Sequence, residues 1–204
     1  MALARCASIS APILATNSEQ PSSWAVDQVN TAIAANLVPQ SLQSNYTQTI
    51  TRAEFCALAV TLYEYIRGEI TGRVIFADTT DRNVAKMAYI GVVFGIGNNL
   101  FAPHTDLTRE QAAVMLARLA NVLGNPLPMQ KAEFADNESI SSWAIESVGQ
   151  IQAARVMGGI GNNVFAPKQP YTIEQSIITI LRLYDILAPV VVNMSEKGIT
   201  DRRL

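Results

Sequence analysis

The chain has 204 residues and is short of the residue types that most metal-dependent and nucleic-acid-binding functions require. It has a single histidine, His104, and no cysteine or second histidine near it at metal-ligand spacing, so no zinc-type centre is indicated. Charged residues make up only 16% and the net charge is −2, which removes the basic footprint of a nucleic-acid binder. No run of about 18 apolar residues occurs, so no segment reads as a membrane span and no membrane insertion is expected. Two cysteines, Cys6 and Cys56, do not make a disulfide framework. Cys56 falls in an apolar helical pattern and is expected to be a buried free thiol. Cys6 lies in a loose N-terminal stretch, with Arg5 where a lipobox would need a small residue.

What the chain does have is hydrophobic content, at 49%, enough for a packed globular domain. Residues 1–20, "MALARCASISAPILATNSEQ", read as a tail. Their one basic residue, weakly apolar stretch and cleavage-like Ala15 fit a truncated signal peptide, and a domain excised from a longer chain reads equally well. The other end, 189–204, reads as a linker or the start of a strand.

Internal repetition is the strongest signal. "GIGNNLFAP" at 95–103 returns 64 positions later as "GIGNNVFAP" at 159–167. Each is followed by a threonine with Glu or Gln three residues on, "TREQ" at 108–111 and "TIEQ" at 172–175, and "TRAE" at 51–54 supplies a third copy. This spacing predicts a capping box at Thr51, Thr108 and Thr172, closed by Glu54, Gln111 and Gln175. Behind each cap the apolar residues recur at helical spacing. Those of the first copy are Phe55, Leu58, Ala59, Leu62, Tyr65 and Ile66.

A second helix is expected before each of these, starting at Trp24 and Trp143. The middle copy has Thr79 at the equivalent place. Val29, Val84 and Val148 are expected on the buried side, and Leu37, Val92 and Val156 at the helix ends. One helix-loop-helix unit cannot bury its own stripes, whereas three around a shared core can. The fold class expected is therefore all-α, three helix-loop-helix repeats with pseudo-threefold symmetry, at 21–68, 69–125 and 126–188.

The combined pattern resembles the S-layer homology repeat. It comprises Phe-Ala-Asp at 76–78 and 134–136, a Trp-Ala helix start, a glycine loop, Phe-Ala-Pro, and Thr-Arg-x-Glu/Gln. The first copy departs most, lacking Phe-Ala-Asp and the glycines. The resemblance implies a non-catalytic anchor at the cell surface, extracellular, whose partner is a secondary cell-wall polysaccharide attached to peptidoglycan. That glycan is often anionic through pyruvylated N-acetylmannosamine and is held in grooves between repeats. It implies no cofactor, and a monomeric module that can form part of a longer surface protein. Carried onto this sequence, the ligand arginine is Arg52 and Arg109, with Ile173 departing. The groove tryptophan is Trp24 and Trp143.

The cap itself does not need an arginine, since "TIEQ" keeps both capping residues without one. A cation at a helix N-terminus opposes the dipole unless an anion is held there. Arginine's planar fork suits a carboxylate. The alternative is a surface arginine paired with an Asp or Glu. The third groove is accordingly expected to be weak, with Ile173→Arg restoring it. The Arg109 groove is expected to be strongest and to draw on Trp143.

The tryptophans read either as sugar platforms or as ordinary core. Gly95, Gly97, Gly159 and Gly161 are expected to permit positive φ, and to admit a ligand close to the backbone. Asp78 and Asp136 are expected to cap or brace the turn into the first helix. A cell-surface protein-protein module is the competing function, and glycan cleavage by a pair of the carboxylates Glu54, Glu110, Glu174, Asp78 and Asp136 is a remote one.

Overall fold

The computed structural model describes the backbone of residues 20–196 and the side chains as far as Leu187. Cys6, Arg5 and the cleavage-like Ala15 lie outside the described residues. Six α-helices are present among those described and no strands. They are α1 Val26–Ala34, α2 Arg52–Arg67, α3 Arg82–Tyr89, α4 Arg109–Val122, α5 Ile145–Ala153 and α6 Ile173–Glu196. Short helices alternate with long ones, and every long helix follows one of the three threonines.

The caps form as the spacing requires. Thr51 accepts from the Glu54 N–H and Glu54 accepts from the Thr51 N–H, a closed capping box at the start of α2. Thr108 and Gln111 do the same for α4. At α6 the reciprocal bonds between Thr172 and Gln175 are both 3.3 Å. Each cap stabilises its helix by about 0.5–2 kcal/mol.

The residues just before the caps meet at the centre. The Ile50 N–H donates to the Tyr171 carbonyl, the Tyr171 N–H to the Leu107 carbonyl, and the Leu107 N–H to the Ile50 carbonyl, at 2.8, 2.8 and 2.9 Å. The three bonds form a closed cycle, and all three side chains are buried. Buried backbone groups must find partners, and here each linker supplies the partner for the next. The long helices leave this centre and pack in the same order, α2 on α3, α4 on α5, and α6 back on α1.

Core positions follow the helical stripes. Val29, Val84 and Val148 are fully buried, as are Leu37, Val92 and Val156. Tyr65 is the exception, 53% exposed at the outer end of α2. It sits edge-on against Tyr184, with centroids 5.6 Å apart. Cys56 is buried and free, and burial pushes its thiol far above the ordinary range.

Two expected boundaries move. The helices expected to start at Trp24 and Trp143 begin two residues later, leaving both tryptophans in the preceding turn. α6 continues to Glu196, so 189–196 is helix rather than linker or strand start. It does so although Pro189 has no N–H to donate to the preceding turn, and no glycine occurs until Gly198. Residues 197–204 lie outside those described.

The central cycle is expected to be the last part of the structure to open. Native-state hydrogen exchange should place the Ile50, Leu107 and Tyr171 amides among the slowest, exchanging only by global unfolding. Exchange faster than in the middle of α4 would show that the cycle does not hold the linkers together.

Candidate functional site

The two copies of "GIGNN-FAP" fold into nearly identical loops. In the first, Asn98 and Asn99 both have positive φ and the Leu100 N–H donates back to the Gly97 carbonyl at 2.9 Å. Asn162, Asn163, Val164 and Gly161 repeat the arrangement. Two successive left-handed residues make the tight reversal that Asn tolerates. The glycines divide by role. Gly97 and Gly161 have φ of +107° and +126°, as expected. Gly95 and Gly159 do not have positive φ, which corrects the sequence reading. A Cβ at either would stand 2.7 Å from the carbonyl oxygen of Leu100 or Val164, so close backbone approach selects glycine there.

Asp78 and Asp136 hold these loops rather than cap the first helices. The two Asp78 carboxylate oxygens accept from the Phe101 and Ala102 N–H groups at 2.8 and 2.7 Å. Asp136 does the same for Phe165 and Ala166, both at 2.7 Å. Ala102 and Ala166 are left-handed, a strained state for a residue with a Cβ. The carboxylates keep the loop in that state. The N-cap of α3 is Asp81 instead, accepting from Asn83 and Val84.

Arg52 and Arg109 reach across to the loops. Arg109 donates through Nε to the Phe165 carbonyl and through Nη2 to the Gly158 carbonyl, both at 2.7 Å. Arg52 donates likewise to Phe101 and Phe94, both at 3.1 Å. Each guanidinium also lies over the ring of the loop phenylalanine, Phe165 at 4.9 Å and Phe101 at 4.4 Å. Arg109 is only 3% exposed. The alternative of a surface arginine paired with a carboxylate therefore does not hold for Arg109. The first two N–H groups of α4 donate to the Gln169 and Pro167 carbonyls, and those of α2 to Thr105 and Pro103, so these amides are occupied. Tertiary contacts satisfied these donors, which local sequence cannot reveal.

Each arginine forms part of a groove. One, of about 420 Å³, has Arg109, Gly158, Gly159 and Ile160 on one side, Gln175, Thr179 and Arg182 on another, and Trp24 at its edge. The other, of about 470 Å³, has Arg52, Gly95 and Ile96, then Gln111, Met115 and Arg118, with Trp143 at its edge. Residue for residue the walls correspond. Both tryptophans are 56% exposed, so they are not core. Trp143 belongs with Arg52, and Trp24 with Arg109, contrary to the pairing expected.

The second cation of each groove, Arg118 or Arg182, escaped the sequence reading. Both stand ten residues after a capping threonine, where the first copy has Thr61, so aligning all three helices would have exposed them. Arg118 stacks on Phe94 at 4.7 Å, and Arg182 approaches Gln28 of α1 at 3.3 Å. None of the four arginines makes a salt bridge among the described residues, where both ion pairs use lysine. Burial pulls the Arg52, Arg109 and Arg118 guanidinium groups below their ordinary value. The grooves thus hold partly desolvated cations without anionic partners.

Two buried glutamates fix the tryptophan turns. Glu110 accepts from the Ser141 N–H and Oγ at 2.9 and 3.0 Å, two residues before Trp143. Glu174 accepts from the Ser22 N–H and Oγ at 2.9 and 2.8 Å, two residues before Trp24. These carboxylates are occupied as clasps. Lys168 adds an ion pair to Glu110.

The S-layer homology domain family model matches residues 78–113 and 133–172. The match supports the S-layer homology family. The first matched segment runs from Asp78 through Arg109, and the second from before Asp136 through Trp143 to Thr172, while the Thr51 segment lies outside both. An endoglucanase of Bacillus sp. (strain KSM-635) is 39% identical over 88 residues, 42% of this chain and 9% of that protein. An amylopullulanase of Thermoanaerobacterium thermosulfurigenes is 29% identical over 152 residues, 71% of this chain and 8% of that protein. Exoglucanase XynX of Acetivibrio thermocellus is 29% identical over 154 residues, 71% of this chain and 14% of that protein. The chain therefore spans at most 14% of the length of these relatives.

Within the matched segments, Arg109 is expected to matter for stability first. Arg109→Ala removes two charge-assisted bonds and should cost about 3 kcal/mol, lowering Tm by roughly 6–12 °C. An unchanged melting curve would refute the stapling role. Asp78 supplies a pH test. Backbone hydrogen bonds from Phe101 and Ala102 hold its carboxyl below the ordinary 3.8. Its contribution is thus complete above that value and is lost as pH falls through the lower folded pKa. The Phe101 and Ala102 amide resonances should titrate with a midpoint below 3.8, and a midpoint at or above it would contradict the assignment.

Proposed function

We propose that the chain is a non-catalytic anchoring module that holds an anionic cell-wall glycan in its two arginine-bearing grooves. The observation that carries this is the duplicated groove, with two unpaired arginines, an exposed tryptophan and a glycine-lined wall in each. Nη1 of Arg109 makes no protein hydrogen bond. Because no side-chain nitrogen or oxygen among the described residues is both buried and unpartnered, that atom is reached from the groove. A carboxylate bridging Nη1 and the second arginine would answer the desolvated charge, and the indole would cover the apolar face of a sugar ring.

The reading includes three helix-loop-helix repeats around an approximate threefold axis. The cyclic bonds of Ile50, Leu107 and Tyr171 support it, as does the packing of α6 back on α1. The anchored polymer is proposed to be a secondary cell-wall polysaccharide attached to peptidoglycan, with a carboxylate substituent such as pyruvate. We further propose that the chain works at the cell surface as part of a longer protein. Its small share of three much longer relatives, whose names are those of polysaccharide-cleaving enzymes, supports an attached module rather than the catalytic part.

Arg118→Ala and Trp143→Ala are the cleanest probes, because neither side chain hydrogen-bonds a loop carbonyl, although Arg118 stacks on Phe94. Loss of a charged contact is worth about 1.5–3 kcal/mol, so Arg118→Ala should weaken binding of isolated wall polysaccharide by roughly one to two orders of magnitude at its groove. Tm should fall by no more than about 4 °C, since Trp143 is exposed and Arg118 gives up one cation–π contact worth about 0.5–1 kcal/mol. Unchanged affinity in both variants would refute the groove as the binding site.

A further inference from the structure

A third groove, of about 440 Å³, lies between α2, the end of α1 and the start of α3. Pro39, Ser41, Ala57 and Thr61 stand at positions that line the arginine grooves, while most of the rest of its wall lies further along α2 and on α3, and its chemistry differs. Pro39 and Ser41 replace the loop residues Phe94 and Ile96, Thr61 replaces the second arginine, and Asn83 stands where the Trp24 turn places Gln28. The first arginine is replaced by Ile173, which is buried and faces the core. The one cation lining this groove, Lys86, is neutralised by Glu64 at 2.6 Å. Glu64 also accepts from the Ile70 N–H at 3.0 Å.

The remaining polar groups are uncharged. The side chains of Asn36, Ser41 and Asn83 make no hydrogen bond among the described residues, and the hydroxyl of Thr61 is tied to the Ala57 carbonyl. Tyr65, 53% exposed, stands at the rim and is braced by the edge of Tyr184. Two primary amides and a hydroxyl beside an exposed aromatic ring match the paired hydroxyls and apolar face of a neutral sugar. They can donate to a carboxylate but set no free positive charge against it.

We propose that this third groove binds an uncharged sugar unit of the polysaccharide whose acidic units occupy the other two. The proposal rests on the anchoring function above. It also reverses the expectation that Ile173→Arg would restore an anionic site. The arginines elsewhere are positioned by loop carbonyls rather than by the cap, and the segment from Leu37 to Thr51 is two residues shorter than that from Val92 to Thr108.

The test uses the full chain, labelled with ¹⁵N, and wall polysaccharide either intact or chemically stripped of its acidic substituents. The stripped polymer should shift the side-chain amide signals of Asn36 and Asn83 and leave the Arg52 and Arg109 Nε signals in place. The double variant Asn36→Gly with Asn83→Ala should weaken binding of the stripped polymer at least tenfold and leave the arginine response to intact polymer unchanged. Glycine is chosen because Asn36 has φ of +57°. Should the intact polymer move the arginine signals while neither polymer moves those of the asparagines, the third-groove proposal is overturned and the anchoring function stands. Should neither polymer move any of these signals, both are overturned. A double variant that binds the stripped polymer normally also overturns the proposal.

Discussion

The structure depends on an arginine that reaches from the start of one long helix to the loop before the next. Arg109 grips the carbonyls of Gly158 and Phe165, and Arg52 those of Phe94 and Phe101. A buried guanidinium needs acceptors, and a buried loop needs donors for its carbonyls. Each requirement answers the other. The same contact brings the glycine wall opposite the helix that carries Gln111 or Gln175 and the second arginine, and the space left between them is the groove. Folding and site formation therefore share one interaction.

This coupling explains the differences among the copies better than the loss of a ligand residue alone. Where Ile173 replaces arginine, the facing loop also lacks the two glycines, Thr61 replaces the second arginine, and Thr79 replaces the tryptophan. The clasp is missing as well, because Ala53 stands where α4 and α6 have Glu110 and Glu174. A buried glutamate without its serine would be costly, so the pair is absent together. The apolar Ile173 instead joins the core, 5% exposed.

Much of the fold was legible because it rests on short-range chemistry. Thr51 with Glu54 and Thr108 with Gln111 are capping boxes that three intervening bonds can specify. The buried stripes are a matter of period alone. Partners that lie far along the chain were missed. Asp78 serves amides 23 and 24 positions away, and Arg109 serves carbonyls 49 and 56 positions away. Nothing adjacent to either residue records those partners. The pairing of Trp24 with Arg109 was missed because it joins residues 85 positions apart, through the packing of α6 back on α1 that the pseudo-threefold expectation implies.

Isothermal titration of the full chain with a single carboxylate-bearing sugar of the wall polysaccharide tests the central claim most directly. Two arginine grooves predict a stoichiometry of two, falling to one in Arg118→Ala or in Arg182→Ala and to none when both are changed, with the fold intact by circular dichroism. Three equivalent sites in the unaltered chain, or a stoichiometry indifferent to both arginines, would contradict the account.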